Sequence, residues 1–172
     1  YKVDTEEHDI CILPMEGSPR VECPLSSEYR EFQPTVSPNG RWIAYVSNRS
    51  GSLEVWVAPY LVLRGDRWRI TRNGGEEPRW SEDGRTLYYH VENMMMAVPV
   101  ETQREFKFGS PKLLYRSDSE VLFFYRGAQR NNYTVSPDGR ILMSKRSEHA
   151  AEQINIILNW MEELKRQVKA GK

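Results

Sequence analysis

The sequence predicts an all-β fold, and three observations carry that prediction. One phrase recurs three times: Pro34-Thr35-Val36-Ser37-Pro38-Asn39-Gly40-Arg41, Pro78-Arg79-Trp80-Ser81-Glu82-Asp83-Gly84-Arg85, and Tyr133-Thr134-Val135-Ser136-Pro137-Asp138-Gly139-Arg140. Its glycines stand 44 and then 55 residues apart, a period typical of propellers and arrays. Each phrase also runs into an apolar stretch: Trp42-Ile43-Ala44-Tyr45-Val46, Leu87-Tyr88-Tyr89 and Ile141-Leu142-Met143. Asn-Gly and Asp-Gly between hydrophobic runs signal a hairpin, because tight turns need positive φ. Pro38 and Pro137 pre-set the turn where no ladder N–H is required.

Each period supplies two further strands. In the first, Leu53–Pro59 alternates after the loop at Ser47–Ser52, and Trp68–Thr71 alternates after the Arg64-Gly65-Asp66 turn. In the second, Met95–Val100 is the third strand and Lys112–Tyr115 the fourth. Four antiparallel strands per repeat make the blade of a β-propeller, and blades must stack because one sheet cannot bury its own faces. Asp9–Gly17 and Arg20–Pro24 read as the last two strands of a blade; Ile154–Leu158 reads as a third strand after the final hairpin. The expected organisation is a single partial propeller: half a blade over 1–28, blades over 29–72 and 73–125, and an incomplete blade over 126–158. That is about half of a six- or seven-bladed ring. The period then changes. Trp160, Leu164 and Val168 form a helical stripe, with Asn159 and Glu162 as a capping box, so a short helix is expected over 159–170.

These hairpins resemble the TolB-type β-propeller repeat. The run Asn159-Trp160-Met161-Glu162-Glu163-Leu164-Lys165 resembles the end of the C-terminal propellers of bacterial serine/threonine protein kinases. Glu31-Phe32-Gln33-Pro34, Gly74-Gly75-Glu76-Glu77-Pro78-Arg79-Trp80 and Met96-Ala97-Val98-Pro99-Val100 fit the same pattern. The resemblance spans residues 9 to 166. It implies a propeller fold and an extracytoplasmic, periplasmic location. No kinase motif lies in the chain, so kinase activity is not carried over.

Composition narrows the function classes. The 172 residues carry 24 basic and 24 acidic side chains, for a net charge of +0. Bulk charge therefore indicates neither nucleic acid nor a membrane surface. No apolar run reaches the roughly 18–20 residues of a membrane-spanning helix, and no signal segment opens the chain. Cys11 and Cys23 lie symmetrically about Gly17, so they are either bridged across a hairpin or two separate thiols buried as small apolar residues. His8, His90 and His149 are scattered and form no zinc spacing. No Gly-x-Ser-x-Gly elbow or phosphate-cradling loop is present, and Gly74-Gly75 reads as a turn. Met94, Met95 and Met96 alternate across a strand and cannot converge on one ion. No cofactor, metal set or catalytic residue is expected.

The remaining candidates are the loops leading into the first strand of each blade, since loops on rigid scaffolds carry function. They hold Arg30, Glu31 and Gln33; Glu76, Glu77 and Arg79; and Arg126, Arg130, Asn131 and Asn132. Guanidinium groups among carboxylates and amides suit an acidic or peptide-like partner, and ordinary solvated loops are the plainer account. Two functions stand open. One is a non-catalytic binding or sensor module for a protein or small ligand, as in the receptor part of a kinase-like protein. The other is the gating propeller of a prolyl-oligopeptidase-type serine peptidase, with a hydrolase domain following. Half a ring leaves two open faces, to be closed by blades of a longer chain or by a second copy.

Overall fold

The computed structural model describes residues 8–17, 20–60, 65–117 and 133–143. Among them every regular element is a strand, every pairing is antiparallel, and no sheet closes on itself. The expected strand at 154–158 and helix at 159–170 lie outside the described residues, as does the loop at 126–132.

Four layers follow chain order. Strands β1 (Ile10–Ile12) and β2 (Glu22–Leu25) form a hairpin. Strands β3 (Glu31–Val36), β4 (Trp42–Ser47), β5 (Glu54–Pro59) and β6 (Trp68–Arg69) form a four-stranded meander. Strands β7 (Glu76–Trp80), β8 (Thr86–Val91) and β9 (Met94–Glu101) begin the next. Its outer strand is split into β10 (Lys107–Phe108) and β11 (Lys112–Arg116), both paired to β9. Gly109-Ser110-Pro111 interrupts it opposite Pro99, whose carbonyl accepts from the Gly109 amide at 2.9 Å. Strands β12 (Tyr133–Val135) and β13 (Ile141–Met143) form the last hairpin.

Alternation decides how the layers meet. On β4 and β5, Trp42, Ala44, Val55 and Val57 face the second sheet, where Trp80, Leu87, Tyr89, Val98 and Val100 meet them. The intervening Ile43, Tyr45 and Ala58 face the first hairpin and pack on Ile10 and Leu25. Strand β4 is therefore buried along its whole length. Full burial of such a side chain contributes about 1.5–3 kcal/mol, so these two-sided strands dominate the stability of the stack. Met95 packs toward Tyr133 while Met96 joins the core on the opposite face, as period-two alternation requires.

One end of the interface between the two sheets is sealed by rings. Phe106 lies 5.4 Å from Trp42, 5.3 Å from Trp68 and 6.4 Å from Trp80, centroid to centroid. The Trp42 indole Nε1 donates to the Thr102 carbonyl at 2.8 Å, so the rings are satisfied as well as packed.

The repeated turns are wider than a two-residue hairpin. The Gly40 amide donates to the Ser37 carbonyl, and the ladder closes between Ser37 and Trp42; Ser81, Gly84 and Thr86 repeat this. Only the glycine has positive φ, 70° at Gly40 and 66° at Gly84. Asn39 and Asp83 contribute through their side chains instead, accepting from the amides of Arg41 and Arg85. In the third copy the ladder closes one residue earlier, from Ser136 to Arg140. A one-residue slip turns a strand over. Accordingly Ile141 and Met143 pack inward and Leu142 is exposed, whereas Ile43 and Leu87, at the equivalent position, are buried.

Candidate functional site

The first strands of the two sheets share a bend that sequence reasoning missed. Pairing of β3 with β4 shifts between Phe32 and Thr35, and pairing of β7 with β8 shifts between Glu76 and Arg79. At each bulge a non-glycine residue is left-handed: Gln33 at φ 53° and Glu77 at φ 52°. Such backbone is uncommon outside Gly, Asn and Asp and costs about 1–2 kcal/mol. The bulges are linked in series. Gln33 Oε1 accepts from the Glu77 amide at 2.8 Å, and the Glu77 carbonyl accepts from the Tyr133 hydroxyl at 2.6 Å. Three successive layers are thereby joined through two bulges.

Around this chain sit the other candidates. The Arg79 guanidinium carbon lies 5.8 Å from the Tyr133 ring centroid, and its Nη1 donates to the Pro78 carbonyl. The His90 ring stands edge-on to Tyr133, and its Nε2 is 4.0 Å from Glu77 Oε1. Burial pushes the His90 imidazole down to about 4, so it is neutral at pH 7 and the contact is not an ion pair. Burial raises the Glu76 carboxyl, opposed by the charge of Arg30 on the neighbouring layer. Arg30 is exposed and lies 5.6 Å over the Phe32 ring.

Two expected loop carboxylates prove to be interior strand residues. Glu31 is 1% exposed and Glu77 2%. Burial raises the Glu31 carboxyl against the opposing charge of Arg67, whose Nη1 is 3.5 Å from Glu31 Oε1. Their position explains the difference. Both fall inside first strands, where the backbone has already entered the ladder, rather than in the loops before them. Arg30, Gln33, Glu76 and Arg79 retain access. Arg126, Arg130, Asn131 and Asn132 lie outside the described residues.

A second feature lies at the end of the sheet–sheet interface opposite the aromatic seal. Glu54 is fully buried, and its carboxylate accepts from Thr71 Oγ1, from Arg69 Nη2 at 2.8 Å and from the Gly74 amide at 3.2 Å. Burial by itself would raise this carboxyl, but the hydrogen bonds together outweigh it and hold it below its ordinary value. The segment after β6 is thus tied down from inside. Gly75 completes the fit, since a Cβ there would stand 2.8 Å from the Thr71 methyl and 3.1 Å from the Tyr89 ring. The tied segment forms one wall of a cleft of about 590 Å³, with Tyr89, Val91, Met94, Met96 and Phe108 opposite. Nothing in the sequence marked it, because it depends on how two sheets splay.

Among the described residues no three His, Cys, Asp or Glu side chains group as metal ligands, and no helix is long and apolar enough to cross a membrane. Cys11 and Cys23 are joined by a disulfide across the first hairpin, and both are exposed. No protein-family model matches the chain, and no curated protein is significantly similar to it.

Proposed function

We propose that the chain is a non-catalytic binding module, a segment of a TolB-like β-propeller that presents groups at the entry to its first strands. The observation that carries this reading is the serial link from Gln33 through Glu77 to Tyr133. It sets the first strands of three consecutive layers side by side, the arrangement expected of blades around an axis. At their entry, Arg30 and Glu76 come from different layers and meet electrostatically. The reading assigns the remaining blades to a longer chain. An acidic peptide is the favoured partner, because Arg30 and Arg79 are accessible cations there among the described residues.

Fluorescence anisotropy with a labelled acidic hexapeptide and its lysine-rich counterpart tests this. The acidic peptide is expected to bind, and Arg30→Ala to weaken it without moving the thermal midpoint. Equal binding of both peptides, or indifference to Arg30→Ala, refutes the assignment.

A further inference from the structure

The cleft between the two sheets has an apolar interior and two opposite charges at its edge. Ile70 and Tyr89 are buried residues of its two walls, and Val91, Met96 and Phe108 add apolar surface. Its 590 Å³ falls within the range of small-molecule sites, and methionine side chains adapt to varied apolar shapes. The charged lining residues differ in their commitments. Arg69 is bound to Glu54, whereas Arg72 and Glu92 are exposed, and neither makes an ion pair among the described residues. They come from different sheets: Arg72 from the segment anchored by Glu54, and Glu92 from the β8–β9 turn.

We infer that this cleft binds a short zwitterionic peptide of about two residues with apolar side chains. Its carboxylate faces Arg72, its ammonium faces Glu92, and its side chains lie on the Met96–Phe108 surface. A simple apolar anion fits less well, because Glu92 repels it; an apolar cation meets the same objection from Arg72. Neither Arg30 nor Glu76 lines the cleft, and its ligand differs, so it stands or falls independently of the proposed function.

Isothermal titration with the dipeptide Leu-Phe, its N-acetyl form and its C-terminal amide tests the inference. One Leu-Phe per chain is expected. Each blocked form is expected to bind at least about tenfold more weakly, the size of one charge-assisted hydrogen bond. Arg72→Ala should abolish the penalty for amidation alone. Glu92→Gly should abolish the penalty for acetylation alone, and it keeps the turn because Glu92 has φ 51°. No binding at about 5 mM peptide overturns the proposal, as do equal affinities for all three peptides. Strand β11 exposes Leu113 and Leu114, each 50% accessible, as a competing apolar surface. Leu114→Ser is expected to leave binding unchanged; if it removes binding, the site is the sheet edge and the cleft assignment is wrong.

Discussion

The side-chain oxygen of Gln33 holds the backbone amide of Glu77 at 2.8 Å, and both residues occupy left-handed backbone at a bulge in a first strand. One bulge thus supports the next. The hydrogen bond contributes about 1 kcal/mol net, comparable with the backbone cost at Gln33. Gln33→Ala loses the bond and keeps the cost, whereas Gln33→Gly loses both. The alanine variant is expected to be less stable than the glycine variant by about 1 kcal/mol in urea unfolding. Equal stabilities would show that the backbone at position 33 relaxes once the side chain is gone.

Glu54 gathers Thr71, Arg69, Gly74 and Ser52 around one buried carboxylate. Glu54→Ala leaves buried donors unmatched and is expected to cost about 3 kcal/mol, measured by chemical denaturation. The carboxyl is held below its unfolded value. Its contribution is therefore present above the unfolded pKa and lost as pH falls through the folded one. The gap between wild type and Glu54→Ala should begin to narrow as pH falls below 4.5.

His90 works in a higher window. Its imidazole is pushed from 6.5 to about 4 by burial, so folding favours the neutral ring. The associated stability is present above pH 6.5 and is lost as pH falls from 6.5 to about 4, by roughly 3 kcal/mol at full extent. Glu31 and Glu76, both raised, act in the opposite sense, so the comparison must be made against His90→Phe. Unfolding at pH 7 and pH 5 should show a steeper acid loss in wild type than in the variant. An NMR titration placing His90 near 6.5 would contradict its burial.

The Cys11–Cys23 disulfide closes a hairpin whose buried apolar anchors among the described residues are Ile10 and Leu25. Replacing both cysteines with serine is expected to destabilise this hairpin by roughly 2–3 kcal/mol through loop-closure entropy. Hydrogen exchange should show the loss in β1 and β2, with Val55, Val57 and Val98 still protected. Loss of protection throughout would mean that the hairpin is required for the first sheet to fold.

The hairpins were legible because their chemistry is local. A Ser-x-(Asn/Asp)-Gly phrase contains its own turn, and the apolar runs that follow it, Trp42–Val46 and Leu87–Tyr89, declare a strand. The bulges were not legible, since Gln33 and Glu77 carry no turn signature and are held left-handed by a neighbouring layer. The slip in the third hairpin was hidden for a related reason: Ser136–Arg140 repeats the same letters, and only packing on Met95 and Tyr88 selects which face of β13 turns inward. Glu31 and Glu77 read as loop carboxylates, and nothing marked Glu54, because burial of a charge depends on partners distant in sequence. The cleft required two sheets to be placed before it existed.

The ring cluster around Phe106 makes the contact between the two sheets unequal along its length. Trp42, Trp68 and Trp80 converge there, while the far end holds an open space. The Gln33–Glu77 bond and the Trp80 indole donating to the Thr35 carbonyl fasten the same two sheets along their first strands, so Arg72 and Glu92 stand at the mouth of a gap left beyond both fastenings.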